Sequence, residues 1–126
     1  AEDWVIATGT TTTIRDFVKM AFSHIGVELE FKGTGVNEKA LVKNCKNKKY
    51  QLEIGKEILS IDPKYFRPTE VDLLVGDPTK AKTKLGWELE YDLPALVEDM
   101  MQSDLKLMTK DQYLRDGGYE TLNYFE

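Results

Sequence analysis

The spacing at which apolar residues recur changes at Gly26, and no other feature of the sequence constrains the fold as strongly. Over residues 13–25, apolar side chains recur at helical spacing, and Thr13 and Asp16 suit the first turn. Over residues 27–31, apolar side chains alternate with charged ones, which is the period of a half-buried strand. A glycine between the two patterns predicts that a helix ends there and a strand follows. The sequence therefore predicts an α/β fold of mixed, α+β character.

Shorter patterns predict the other extended segments. A continuous apolar run at residues 4–7 predicts a buried strand of a sheet with both faces covered, and such a strand needs neighbours. Extended pieces are expected near 41–42 and 50–54, with a basic loop at 43–49 between them, and another strand is expected at 57–61. The helix before Gly26 is expected to bury Ile14, Phe17, Val18, Ala21 and Ile25.

The second half of the chain is predicted to form short capped helices. Pro68 suits the first position of a helix that stops at Gly76, and Pro78 starts a second helix that stops at Gly86. A third helix begins near Asp92. The side chains expected to face inward are Ala81 and Leu85 in the second helix and Leu93, Leu96, Val97, Met100, Met101, Leu105 and Met108 in the third. The tail, 111–126, is expected to dock on a surface outside this chain.

Length and composition exclude several classes of protein. A chain of 126 residues suits one compact unit, so 1–126 is interpreted as a single lobe. Its net charge of -5 disfavours nucleic acid, and no apolar run approaches the roughly 20 residues of a membrane helix. Cys45 and His24 are each the only residue of their kind, which excludes an intrachain disulfide or a thiolate metal cluster. These features favour a cytoplasmic protein without a metal.

No catalytic constellation is present in the sequence. No glycine fingerprint for a dinucleotide follows the first predicted strand, and the glycines at 33 and 35 belong to a turn that is too short for one. A single histidine leaves no Cys-His or Ser-His-Asp set. We therefore expect neither catalytic nor cofactor-binding residues in this chain.

Arg67 and Glu70 are the candidate substrate-binding residues. Pro68 would place both at the amino-terminal end of a helix, where unpaired amide groups attract anions. Arginine offers a planar fork of donors that matches a phosphate, and a carboxylate can accept two hydrogen bonds from a ribose diol. Spacing alone favours the plainer interpretation, in which Glu70 is a cap-type residue and Arg67 an exposed charge.

Several longer motifs resemble the carboxy-terminal portion of GDP-mannose 4,6-dehydratases. The matching stretches are Tyr-Phe-Arg-Pro-Thr-Glu-Val-Asp at 65–72, Gly-Asp-Pro-Thr-Lys-Ala at 76–81, Lys-Leu-Gly-Trp at 84–87, Asp-Trp-Val-Ile-Ala-Thr-Gly at 3–9, Arg-Asp-Phe-Val at 15–18 and Phe-Lys-Gly-Thr-Gly at 31–35. The resemblance covers nearly the whole chain and is weakest at 36–57 and in the tail. It outweighs the plainer interpretation of the arginine and glutamate.

The resemblance implies an extended short-chain dehydrogenase/reductase, in which an amino-terminal Rossmann domain binds NADP and a smaller lobe closes over the sugar nucleotide. Such enzymes convert GDP-mannose to GDP-4-keto-6-deoxymannose and commonly form homodimers or homotetramers. Arg67 would then contact the phosphates and Glu70 the ribose. The family's catalytic Thr, Glu and Tyr-x-x-x-Lys lie upstream, and no tyrosine of this sequence has lysine four residues later. The lobe alone is expected to be inactive and free of NADP.

Two alternatives remain open at this point. The chain could be a freestanding binding or interaction module that kept the fold without catalysis. It could also belong to a dehydratase or epimerase that acts on another nucleotide sugar.

Overall fold

The computed structural model describes residues 1–69 and 74–121 of the chain. Their elements, in order, are α1 (Ile14–His24), β1 (Val27–Lys32), a 3-10 turn (Gly35–Asn37), β2 (Lys39–Cys45), β3 (Glu57–Ser60), α2 (Thr79–Leu85) and α3 (Leu93–Asp116). Helices and strands are therefore mixed along the chain, which confirms the predicted class.

The three strands form one antiparallel sheet in the order β1-β2-β3. Alternate side chains of β1 and β2 point to the same face, and this face is buried beneath α1. The buried core consists of Val27, Leu29, Ala40 and Val42, with Val18, Phe22 and Ile25 packed against it. The alternation over 27–31 thus predicted both the strand and its buried face.

The ends of α1 follow the predicted capping signals. The Thr13 hydroxyl accepts a hydrogen bond from the Asp16 amide at 3.1 Å, and it donates to the Asp16 carboxylate at 2.7 Å. At the other end Gly26 takes a φ of 72°, and its N–H donates to the Ser23 carbonyl at 2.9 Å. Both predicted boundaries of this helix are confirmed.

The strand predicted at residues 4–7 is wrong, since no strand occurs before α1. The segment instead runs alongside Lys80 of α2. The Lys80 ammonium donates to the Asp3 carbonyl at 2.9 Å, pairs with Glu2 at 3.0 Å and lies 4.5 Å from the centre of the Trp4 ring. A strand needs a hydrogen-bonded neighbour, and the described part of the sheet does not extend to this segment.

The connection between β2 and β3 also differs from the expectation. β2 continues to Cys45, so the basic loop begins later than predicted, and residues 50–54 form no strand. The Val42 amide donates to the Lys56 carbonyl at 2.9 Å, and the Gly55 amide donates to the Val42 carbonyl at 2.7 Å. The chain from the end of β2 to Gly55 is consequently a loop that returns to Val42, and it contains no further strand.

The helices of the second half are only partly as predicted. Asp92 caps α3 through the Ala95 amide at 2.9 Å, and Gly86 ends α2 with a φ of 66°. Residues 70–73 of the helix predicted after Pro68 lie outside the described residues, and neither 68–69 nor 74–76 is helical.

The predicted inward faces of α2 and α3 are too wide. Ala81 and Val97 are buried as expected, whereas the exposed side chains include Leu85, Leu96, Met100 and Met108. Among the described elements, the one on which α3 packs most is α1, so the outer part of its predicted apolar face stays exposed. Helix α3 also continues to Asp116 and takes in the start of the predicted tail. Among the helices in the described ranges, none has the length and hydropathy that crossing a bilayer requires.

Candidate functional site

The loop after β3 is shaped by Asp62. Its carboxylate accepts a hydrogen bond from the Lys64 amide at 2.9 Å, and its carbonyl accepts from the Tyr65 and Phe66 amides at 3.0 and 3.1 Å. An aspartate that bonds the backbone two residues later fixes a tight turn. The side chains after the turn are thereby held next to the start of α1.

An open pocket of about 650 Å³ lies between this loop and α1. Among the described residues, its lining includes Ile14, Ile61, Lys64, Tyr65, Phe66 and Arg67. This volume is in the range of small-molecule sites. Lys64 and Arg67 place two cationic side chains in this lining and Tyr65 and Phe66 add aromatic ones, which favours an anionic ligand with some apolar surface.

Arg67, the predicted phosphate ligand, lies in the wall of this pocket and is exposed to solvent. Glu70, the predicted ribose ligand, lies outside the described residues. Pro68 and Thr69 form a bend after Arg67. The anion-binding part of the predicted pair therefore has a location in the fold, and the pair itself stays a prediction.

A second pocket of about 290 Å³ adjoins the first, because Ile14 and Ile61 line both. Arg15 and Glu38 line it as well. The Arg15 guanidinium binds the Glu38 carboxylate with two hydrogen bonds, one from Nε to Oε1 and one of 2.7 Å from Nη2 to Oε2. Glu38 is only 8% exposed. The hydrogen bonds from Arg15 hold the pKa of the Glu38 carboxyl below its ordinary value, so the pair stays charged.

Sequence reasoning missed several residues of these pockets. Ile14 was expected to face the core but is 74% exposed and lines both pockets. Lys64 could have been found, since it stands three residues before Arg67 and directly after the Asp-Pro turn signal. Arg15 and Glu38 are 23 residues apart and no local motif contains both, so their contact had no signal in the sequence.

Other chemistry in the described residues is limited. No group of three histidine, cysteine or acidic side chains there is placed to hold a metal ion. Cys45 is a free thiol within hydrogen-bonding distance of the Tyr50 carbonyl, at 3.4 Å. The 33–35 turn joins two antiparallel strands. A dinucleotide loop instead connects a strand to a helix, so this turn does not fit a pyrophosphate.

Comparison with known proteins gives consistent matches. Residues 1–100 match a family model described as GDP-mannose 4,6 dehydratase. A Vibrio cholerae protein named GDP-mannose 4,6-dehydratase is 44% identical over 118 residues, which cover 93% of this chain and 32% of the relative. Proteins of the same name from Drosophila melanogaster and Homo sapiens are each 45% identical, over 86% and 85% of this chain and 25% and 26% of their own lengths. The chain thus spans about a quarter to a third of these relatives.

Proposed function

The chain belongs to the GDP-mannose 4,6-dehydratase family, and we propose that it is the nucleotide-sugar-binding lobe of such an enzyme. The intact protein would act as a lyase that converts GDP-mannose to GDP-4-keto-6-deoxymannose. Because the chain spans only part of its relatives, this activity is proposed for the intact protein and not for the lobe alone.

The observation that supports this function is the cationic pocket beside the Asp62 turn. Lys64 and Arg67 both line it, and Tyr65 and Phe66 add exposed aromatic surface. We propose that Arg67 holds the diphosphate of GDP-mannose through its guanidinium fork and that Glu70 accepts from the ribose hydroxyls. The lobe would therefore bind and orient the sugar nucleotide, and proton and hydride transfer would depend on groups outside the described residues.

We propose NADP as the cofactor of the intact protein. The described residues do not fit it, because their glycine-rich turn connects strands and does not open a helix. The contribution proposed for this lobe is accordingly the binding of GDP-mannose. The intact protein is proposed to be cytoplasmic and to form a homodimer or homotetramer, which light scattering of the intact protein would test.

The role of Arg67 can be tested by substitution in the intact protein. Arg67→Ala should raise the Kd for GDP-mannose about 10- to 150-fold, because it removes a charge-assisted bidentate contact worth about 1.5 to 3 kcal/mol. Arg67→Lys should recover part of the affinity, since lysine keeps the charge and lacks the planar fork. Isothermal titration with GDP-mannose gives the Kd values.

Arg115→Ala is the matched control. Arg115 is an exposed arginine at the end of α3, whose Nε donates to the Thr121 hydroxyl at 3.0 Å. Its loss should leave the Kd for GDP-mannose unchanged. An unchanged Kd in Arg67→Ala as well would make Arg67 an ordinary surface charge.

The identity of the sugar nucleotide needs a separate titration. Intact protein titrated with GDP-mannose, UDP-glucose and dTDP-glucose should bind GDP-mannose most tightly. Equal affinities would favour a dehydratase or epimerase of another nucleotide sugar.

A further inference from the structure

The Arg15–Glu38 ion pair joins two segments that are distant in sequence. Arg15 is the second residue of α1, and Glu38 is the last residue of the turn between β1 and β2. Both carboxylate oxygens of Glu38 accept from Arg15, so the pair fixes orientation as well as distance. Glu38 is nearly buried, while the Arg15 side chain is 57% exposed. The turn is thereby held against the start of α1.

The turn also lies close to the loop that carries Arg67. A carbon added at Gly35 would lie 3.7 Å from Cζ of Phe66, so the edge of the ring lies next to Gly35. The Glu38 amide donates to the Gly35 carbonyl at 3.1 Å, which couples the position of Gly35 to that of Glu38. Phe66 directly precedes Arg67 in the chain. A displacement of Glu38 would therefore shift the turn that lies beside Phe66, the residue before Arg67.

We propose that Arg15 and Glu38 are positioning residues for Arg67, acting through Gly35 and Phe66. This inference rests on the proposed role of Arg67 in binding the diphosphate. The desolvation of Glu38 offsets part of its Coulombic attraction to Arg15, so net stability is not the main contribution of the pair. The bidentate geometry of the Arg15–Glu38 pair instead fixes the position of the turn. This matters for Arg67, because a guanidinium that binds phosphate with two hydrogen bonds must be correctly oriented.

Glu38→Gln in the intact protein tests the proposal. Glutamine keeps the shape of the side chain and removes its charge, so the two-point contact with Arg15 is weakened. We expect the Kd for GDP-mannose to rise about tenfold, while the Kd for NADP and the circular dichroism spectrum stay unchanged. Glu57→Gln is the matched control, since Glu57 pairs with Lys39 at 2.6 Å on an exposed part of the sheet, and it should leave the Kd unchanged.

A double-mutant cycle separates positioning from a purely structural role. If the pair acts through Arg67, Glu38→Gln should have no further effect on GDP-mannose affinity in the Arg67→Ala background. An equal effect in both backgrounds would overturn the proposal, as would an unchanged Kd in the single variant or a parallel loss of NADP binding.

Phe66→Leu tests the same link without touching the ion pair. It replaces the aromatic ring next to Gly35 with a smaller side chain. We expect the Kd for GDP-mannose to rise, and this effect should again disappear in the Arg67→Ala background. This variant decides the matter if Glu38→Gln fails to fold, because an unchanged Kd would refute the pathway through Phe66. Failure of Arg67→Ala to weaken binding would instead reject the proposed function, so the two failures are distinguishable.

Discussion

Gly33 and Gly55 have almost the same left-handed backbone, with φ values of 84° and 86°, but very different surroundings. A carbon added at Gly33 would overlap the Asn37 carbonyl, while at Gly55 nothing lies within 4 Å. Gly55→Ala should therefore cost only the backbone strain, about 1 kcal/mol of unfolding free energy. Gly33→Ala adds a backbone clash and should cost about 3 kcal/mol. Urea denaturation of both variants measures the difference, and equal losses would contradict this interpretation.

The Glu38 carboxyl makes a second residue-level prediction, for the pH dependence of stability. Hydrogen bonds from Arg15 lower the pKa of Glu38 in the folded state. The folded state then favours the ionised form, so the pair stabilises the protein above the ordinary glutamate pKa of about 4.3. This contribution is lost as the pH falls through the lower pKa of the folded state.

The difference in unfolding free energy between the wild type and Glu38→Gln should accordingly be constant near neutral pH and shrink below about pH 4.3. Urea denaturation across a pH series measures it. A difference that does not depend on pH would mean that the charge of Glu38 contributes nothing to folding.

At the scale of elements, side-chain caps mark where α1 and α3 begin. Asp92 accepts from the Ala95 amide at 2.9 Å and satisfies one of the free donors at the start of α3. Asp92→Ala should lower the unfolding free energy by about 1 kcal/mol. Asp104→Ala is the control, since Asp104 is exposed in the middle of the same helix and should change stability little. A similar loss in both variants would show that charge and not capping is responsible.

At the scale of the whole molecule, Lys80 ties the first residues of the chain to α2. It combines the hydrogen bond to Asp3, the ion pair with Glu2 and the contact with the Trp4 ring. Lys80→Ala should remove about 1 kcal/mol of local stability. Amide exchange of residues 2–9 should then become about fivefold faster.

Lys84→Ala provides the comparison for this prediction, because Lys84 is exposed on the same helix. Exchange of residues 2–9 should stay at the wild-type rate in this variant. Unchanged exchange in Lys80→Ala would mean that other contacts hold the segment, such as the packing of Gly76 against Ala7.

The elements that were predicted correctly are those whose signals lie within a few consecutive residues. Thr13 and Gly26 bound α1 through local hydrogen bonds, and the alternation over 27–31 assigned the buried face of β1. The wrong predictions concern segments whose structure depends on which other elements lie beside them. An apolar run at 4–7 predicts a buried strand whether or not a partner strand lies beside it. The spacing of Leu85 likewise predicts an inward-facing side chain whether or not another element covers it.

The sequence by itself determined the mixed fold class, the capped starts of α1 and α3 and, through its long motifs, the family to which the chain belongs. The tertiary structure alone decided that Lys64 and Arg67 share a pocket with Ile14. It also decided that Arg15 and Glu38 meet across 23 residues of chain. The physical reason is that caps and periodicity act within a few residues, whereas a pocket depends on how separate elements pack, which short-range patterns do not encode.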